Sequence, residues 1–159
     1  MRTKADKARE YAAMIEQAAA YVAEAKPICR EPCDAYRLLA PLMANELQEC
    51  FWIIPLNARN RVMSAPVMIT RGLANSAPVH PREAFRPAIV AGASAIIIAH
   101  NHPSGDPTPS AEDIIVTKRL IEAGKVVGIA VMDHVIIGVM DSPGRSPFLS
   151  IRDSGLCAF

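Results

Sequence analysis

The residues best suited to chemistry lie in one short segment, AHNHPSGDPTPSAED, at residues 99–113. His100 and His102 directly follow an apolar run, and side chains two apart in an extended chain point to the same side. Asp113 follows at the start of a predicted helix. Two imidazole nitrogens and one carboxylate oxygen are the three ligands typical of catalytic zinc, with the fourth position left to water. The spacing therefore predicts one zinc ion per chain, held by His100, His102 and Asp113.

Hydrolysis at such an ion needs a proton acceptor and a hydrogen-bond donor. Zinc lowers the pKa of a coordinated water molecule and polarises a carbonyl group, and a carboxylate is a usual acceptor of the water proton. Glu49 opens a predicted strand and is the candidate general base, with Glu46 as its rival. Ser110 precedes Asp113 by three residues, which places both on one helix face. Its hydroxyl could donate a hydrogen bond to a developing oxyanion.

Each part of this segment also has a simpler explanation. Ser110 and Asp113 match the spacing of a helix capping box, and an acidic residue in the first helical turn is favoured without any metal. Ser104 and Asp106 are typical turn residues. The combination with His-x-His after an apolar strand favours the metal site over capping alone. The letters His-Asn-His do not indicate an HNH nuclease, because that name refers to three residues spread over a ββα-metal unit.

Alternating helical and strand patterns define the elements that must position this site. Helices are predicted over residues 5–25, over 34–45 with Asp34 as its cap, from Pro81 onward with Pro87 kinking or delaying it, and over 110–123 with Gly124 ending it. Strands are predicted over residues 49–56, 61–70, 95–99, 126–132 and 135–139, with a short one at 148–151. Asp133–His134 is predicted to interrupt the strand pattern between 132 and 135 as a bulge or a tight turn. Residues 100–109 are predicted to be a loop. The order of these elements indicates one α/β or α+β domain.

Composition limits the classes of function. The 159 residues are 51% hydrophobic, which is enough for the core of a single domain. The 17 Lys and Arg balance 16 Asp and Glu, so strong electrostatic binding to nucleic acid is not expected. The N-terminal segment lacks the apolar core of a signal peptide, and the apolar runs are too short to span a membrane. The cysteines, Cys29, Cys33, Cys50 and Cys157, are expected to be reduced thiols of a cytoplasmic protein.

Two further groups of residues have predicted structural roles. Asp133 and His134 are adjacent, and adjacent residues in an extended chain point to opposite faces. The pair is predicted to be structural, with His134 as an outer residue that orients a metal ligand as the alternative. Phe51 and Trp52 alternate on a strand and are predicted to lie in the core.

The site segment resembles the JAMM (JAB/MPN+) metalloprotease signature: H-x-H-P, seven residues, then S-x-x-D. Its longer form, HNHPSGDPTPSAED, is similar to the RadC-like branch of that family, which is bacterial. The segments ECFWIIPLNARNRV, VHPREAFRPAI and GIAVMDHVIIG resemble the same branch in the same order. The resemblance divides the chain into an N-terminal helix and linker, residues 1–33, and a RadC-like JAB/MPN domain, residues 34–155.

This resemblance implies a mixed β-sheet flanked by helices, zinc on His100, His102 and Asp113, and Glu49 as the upstream catalytic glutamate. It implies a zinc peptidase or isopeptidase that acts on an unidentified protein. The family's DNA-repair label gives the alternative, a non-enzymatic zinc-stabilised module in repair, recombination or mobile-element biology. DNA binding has weak support, because an alanine-rich helix stands where longer relatives carry a helix-hairpin-helix module. The alanine face of that helix could mediate a homodimer.

Overall fold

The computed structural model describes residues 3, 6, 9, 11–17, 20, 27–72, 79–139 and 144–159. Its helices are α1 (described over residues 11–17), α2 (Pro32–Met43), α3 (Pro81–Val90) and α4 (Ala111–Val127). Its strands are β1 (Cys50–Leu56), β2 (Val67–Arg71), β3 (Ala95–Asn101), β4 (Ala130–Ile137) and β5 (Phe148–Ser150). Of the predicted helix 5–25, residues 6, 9, 11–17 and 20 are described, and the rest lies outside the described residues. None of the described helices is long and apolar enough to cross a membrane.

The five strands form one mixed sheet in the order β2-β1-β3-β4-β5. Strands β3 and β4 are parallel, and the other neighbouring pairs are antiparallel. Helix α4 makes the crossover that a parallel pair requires. The carboxyl ends of β3 and β4 therefore share one edge of the sheet, which is where functional residues collect in open α/β sheets. The mixed sheet with flanking helices confirms the predicted fold class.

The core lies on both faces of the sheet, so the domain has three layers. Every residue of β1 and β3 is buried, as expected for central strands covered on both sides. The core on the α2 face includes Leu39, Trp52, Ile54, Ile97 and Val135, with Tyr11 and Met14 of α1 packed against it. The core on the face of α3 and α4 includes Phe51, Phe85, Ile98, Leu120 and Ile136. Phe51 and Trp52 are core residues, as predicted.

The predicted end of α4 was wrong. The helix continues past Gly124 to Val127, and Gly128 ends it with a φ of 73° in the left-handed region. Gly124 serves packing instead, because a Cβ atom there would lie 2.5 Å from the carbonyl oxygen of Ile129. Residues 126 and 127 therefore belong to the helix, and the strand predicted from 126 begins at Ala130.

Strand β4 is continuous through Asp133 and His134, so the predicted interruption into two strands was wrong. A register shift does occur beside this pair, because Ile96 pairs with Val131 while Ile97 pairs with Asp133. The bulge, one of the two predicted alternatives, is therefore present, and Met132 is the extra residue on β4.

Two other boundaries moved. Helix α2 starts at Pro32, and Asp34 is its third residue rather than its cap. The Asp34 carboxylate still accepts the backbone N–H of Glu31, at 3.0 Å, in a capping box. Of the strand predicted over 61–70, only the second half forms β2, and Val62 makes one isolated bridge to β1.

Strand β3 extends to Asn101, so His100 lies in the strand and not in the predicted loop. Helix α3 begins at Pro81 as predicted, and Pro87 inside it does not delay its start.

Candidate metal centre

The three predicted metal ligands meet where β3 ends and α4 begins. His100 shares a face of β3 with Ile96 and Ile98, which pack toward α3 and α4. His102 follows the strand directly, and Asp113 lies in the first turn of α4. One ligand atom from each of these three side chains lies within 4.8 Å of the other two. The structure therefore brings the predicted ligand set together.

The spacing of the donor atoms suits one small cation. His100 Nε2 lies 2.9 Å from His102 Nε2 and 3.1 Å from Asp113 Oδ1. His102 Nε2 lies 3.3 Å from Asp113 Oδ2. A tetrahedral zinc ion with ligands at about 2.0–2.1 Å holds them about 3.3 Å apart.

The hydrogen bonds of His102 determine which of its ring nitrogens is free. His102 Nδ1 lies 2.7 Å from the carbonyl oxygen of Asp106, which can only accept. Nδ1 therefore carries the hydrogen, and in the neutral ring the Nε2 lone pair points to the cluster. Asp106 is a turn residue, as predicted, and its carboxylate holds the loop in an Asx turn by accepting the backbone N–H of Thr108 at 3.0 Å.

A chain of three hydrogen bonds fixes the tautomer of His100. The Thr117 hydroxyl donates to the carbonyl of Asp113 at 2.6 Å, so its oxygen accepts from His134 Nδ1, also at 2.6 Å. Burial, followed by the charge of His100, holds the pKa of His134 well below its usual value, and the neutral ring has a free Nε2 lone pair. That lone pair accepts from His100 Nδ1 at 2.7 Å. In the neutral His100 ring, the hydrogen is then on Nδ1, and the Nε2 lone pair faces His102 and Asp113.

Two nitrogen lone pairs and a carboxylate therefore face one another, and such acceptors are stable together only around a proton or a cation. Burial alone would raise the pKa of Asp113, but His100, His102 and the Ser110 backbone N–H hold it well below 3.8. Burial alone would lower the pKa of His102, but Asp113 and the Asp106 carbonyl raise it above 6.5. The donor set fits a divalent metal ion such as zinc.

Asp113 also completes the capping box that the sequence offered as the simpler explanation. Its Oδ2 accepts the backbone N–H of Ser110 at 2.8 Å, and Ser110 Oγ accepts the backbone N–H of Asp113 at 3.1 Å. The cap and the ligand position are therefore compatible, since the cap fixes the carboxylate that faces the histidines. Ser110 uses an oxygen lone pair in this bond, so its hydroxyl hydrogen can still be donated to a substrate.

The two candidate glutamates have different surroundings. Glu49 Oε1 lies 3.9 Å from His100 Nε2, and its side chain is 49% exposed. The Glu46 side chain is only 7% exposed, and its Oε2 pairs with Arg71 Nη2 at 3.0 Å. Glu46 also accepts a hydrogen bond from the Cys50 thiol at 3.5 Å. The geometry therefore favours Glu49 as the carboxylate that serves the site.

The Asp133–His134 pair is divided between two roles. His134 lies against the site and contacts His100, which is the alternative that the sequence offered for it. Asp133 accepts the Ser150 hydroxyl at 2.9 and 2.7 Å and so links β4 to β5.

Sequence reasoning did not single out Thr117 or Asn101. Thr117 could have been found, because it lies four residues after Asp113 on the same helix face. The sequence held no comparable signal for Asn101, since its contacts depend on the pairing of β1 with β3.

Comparison with known proteins gives consistent matches. The profile of the RadC-like JAB domain matches residues 29–156. A UPF0758 protein of Listeria welshimeri is 45% identical over 128 residues, which is 80% of this chain and 54% of that protein. One from Desulforamulus reducens is 46% identical over 138 residues, 87% of this chain and 58% of the relative. One from Methanosarcina mazei is 40% identical over 152 residues, 94% of this chain and 63% of the relative. The chain thus spans less than two thirds of the length of each.

Proposed function

The chain belongs to the RadC-like JAB domain family, and from this membership we propose that it is a zinc-dependent hydrolase of peptide or isopeptide bonds. One zinc ion would be held by His100, His102 and Asp113. The observation that carries the proposal is the convergence of two imidazole nitrogens and one carboxylate within 4.8 Å. A purely structural cluster of this kind would face donors rather than other acceptors.

The residues around the three ligands have matching roles in amide hydrolysis. When bound, zinc supplies Lewis acidity, which makes water more acidic and a carbonyl more electrophilic. Glu49 accepts a proton from the attacking water, whose oxygen bonds to the carbonyl carbon of the substrate. Glu49 then returns that proton to the nitrogen as the C–N bond breaks, so an amine and a carboxylic acid leave. The Ser110 hydroxyl donates to the carbonyl oxygen as negative charge develops on it.

A site for one metal argues against phosphodiester cleavage by the two-metal mechanism. Nucleases of the two-metal type need a second cluster of carboxylates. Within the described ranges, only one group of three or more His, Cys, Asp or Glu side chains is close enough to hold a metal. It consists of His100, His102 and Asp113. The proposed substrate is therefore a protein, and we place its hydrolysis in the cytoplasm, consistent with free thiols at all four cysteines.

The test begins with metal content and then asks for activity. Purified protein should contain about one zinc per chain by mass spectrometry, and His102→Ala should lack it. Peptide libraries and isopeptide-linked protein conjugates are then incubated with the zinc-loaded protein, and new amino termini and released amines are identified by mass spectrometry. Cleavage that requires zinc and is lost in Glu49→Gln supports the proposal. Bound zinc without cleavage of either class would favour the non-enzymatic zinc-stabilised module instead.

A further inference from the structure

The middle residue of His100–Asn101–His102 points away from the two ligands. Alternation along β3 places Asn101 on the face of Ile97 and Ala99, which pack toward α2, whereas His100 faces α4. Asn101 is only 5% exposed. A buried amide on the apolar face of a central strand is costly unless its donors and acceptors are satisfied.

The Asn101 amide is satisfied by the backbone on both sides of Glu49. The backbone N–H of Cys50 donates to Asn101 Oδ1 at 2.8 Å, and Asn101 Nδ2 donates to the carbonyl of Gln48 at 3.0 Å. Because an N–H can only donate and a carbonyl can only accept, these partners define the orientation of the amide. Neither an aspartate nor an apolar side chain of similar size could make both bonds.

A third hydrogen bond holds the residue between these two. The carbonyl of Glu49 accepts the backbone N–H of Gly72 at 2.8 Å. Three consecutive residues therefore have a backbone group fixed by a hydrogen bond. Asn101 fixes those of Gln48 and Cys50, and Gly72 fixes that of Glu49. The Glu49 side chain itself is half-exposed, so the position of its carboxylate depends on this backbone.

We infer that Asn101 is a positioning residue: it fixes the position of the Glu49 carboxylate relative to His100 and His102, the two ligands that flank it in the sequence. One tripeptide then fixes two metal ligands on one face of β3 and, through the other face, the proton acceptor. The catalytic meaning of this arrangement rests on the proposed function, whereas the positioning of Glu49 can be measured without it.

The test compares Asn101→Leu with wild type by three measurements. Hydrogen exchange of residues 46–50 should accelerate at least about tenfold, because the Cys50 amide loses its acceptor and the Gln48 carbonyl its donor. Zinc affinity, measured by competition with a chromophoric chelator, should stay within about threefold of wild type, since all three ligands remain. On a substrate found by the screen above, kcat should fall about 10–100-fold with KM nearly unchanged, as expected for a displaced catalytic group.

Asn57→Leu is the matched control. Asn57 also joins two backbone groups, accepting the N–H of Arg59 at 2.9 Å and of Arg61 at 3.0 Å, but at the far end of β1. It should lower the melting temperature without changing exchange at residues 46–50 or kcat. If Asn101→Leu does not fold, Asn101→Asp retains the acceptor for Cys50 and should show a smaller change in the same direction.

Unchanged exchange at residues 46–50 in a folded Asn101 variant would overturn the inference. So would acceleration spread evenly over β1, β3 and β4, because that is the effect of general destabilisation. Local acceleration with zinc affinity retained supports the inference, even if no variant and no wild-type protein cleaves any substrate. In that last case the proposed function fails and the positioning of Glu49 stands.

Discussion

Two aspartates of this domain, the buried Asp133 and the partly buried Asp113, lie close to histidines, and their surroundings are opposite. Asp133 is surrounded by donors: the Ser150 hydroxyl, the backbone N–H of His134 at 2.7 Å and that of Arg152 at 3.3 Å. Asp113 accepts from its helix cap, but its remaining partners are the Nε2 atoms of His100 and His102, which turn lone pairs toward it when the rings are neutral. A carboxylate with enough donors needs nothing further, whereas one that faces acceptors needs a cation. The hydrogen-bond partners therefore distinguish a structural carboxylate from a metal ligand. The presence of a neighbouring histidine does not, because both aspartates have one.

The largest difference is expected between Asp113→Asn and Asp133→Asn. Asp113→Asn removes an anionic ligand, so zinc affinity should fall by at least about 100-fold. Asp133→Asn should keep zinc but unfold at lower denaturant concentration, because the amide cannot accept all the donors around Asp133. Chelator competition and urea denaturation measure the two effects. Loss of zinc in Asp133→Asn, at a temperature where it is folded, would contradict the comparison.

The same comparison applies to the two glutamates. Glu49→Gln should lower the rate of zinc-dependent hydrolysis about 10²–10⁴-fold, since an amide cannot accept the water proton. Glu46→Gln should change this rate little, because Glu46 is engaged by Arg71 and Cys50. Steady-state kinetics of both variants with equal zinc content distinguish the roles. Greater loss in Glu46→Gln than in Glu49→Gln would reverse the assignment.

The hydrogen-bond chain behind His100 gives the next effect. Thr117→Val should lower zinc affinity about 10–100-fold, because His134 loses the acceptor that fixes its own tautomer and that of His100. Thr117→Ser keeps the hydroxyl and should retain most of the affinity. Isothermal titration with zinc at pH 7 compares them. Equal affinities of the valine and serine variants would show that the chain does not orient His100.

These predictions also show which parts of the site could be read from the sequence. The ligand set was predictable because its three residues lie within fourteen positions and local geometry places them together. Glu49 was predictable as the opening of a strand, yet only the pairing of Phe51 with His100 brings it to the histidines. The contact between His134 and His100 depends on the parallel register of β3 and β4, which includes a bulge. No single-sequence pattern encodes such a register.

The fold was predictable to a similar degree, and its prediction was wrong where packing overrode local propensity. Gly124 is a residue type that often ends helices, but the helix continues through it. Glycine is needed at this position for packing, because the backbone at Ile129 leaves no room for a side chain. The error at this position carried forward into the start of β4. The alternation of β1 and β3 between two apolar faces was readable because both strands are buried throughout.

The pH dependence of zinc binding should be moderate. In the metal-free protein Asp113 and the Asp106 carbonyl raise the pKa of His102 above 6.5, so protons compete with zinc for this ring. Zinc affinity should therefore rise with pH between 6 and 8, by up to about tenfold for each proton released per pH unit. Without metal the sign is opposite, since the stability gained from a raised histidine pKa is present below 6.5 and lost as pH rises through the raised value. Titrations at three pH values in two buffers of different ionisation enthalpy measure the released protons, and an affinity independent of pH would be inconsistent with His102 as a ligand.

The smallest effect is expected on the structural side of the comparison. Ser150→Ala removes one donor to Asp133, whose carboxylate keeps the backbone N–H groups of His134 and Arg152, and it removes the acceptor of the Asp153 backbone N–H. Stability should fall by about 1–2 kcal/mol, because two hydrogen bonds are lost, with zinc affinity and hydrolysis unchanged. Ser146→Ala, at an exposed hydroxyl that donates to the carbonyl of Phe148 and accepts its backbone N–H, is the matched control and should cost less. If Ser150→Ala instead weakened zinc binding, the Asp133 side of β4 would be coupled to the site through His134, and the two carboxylates would belong to one network rather than two.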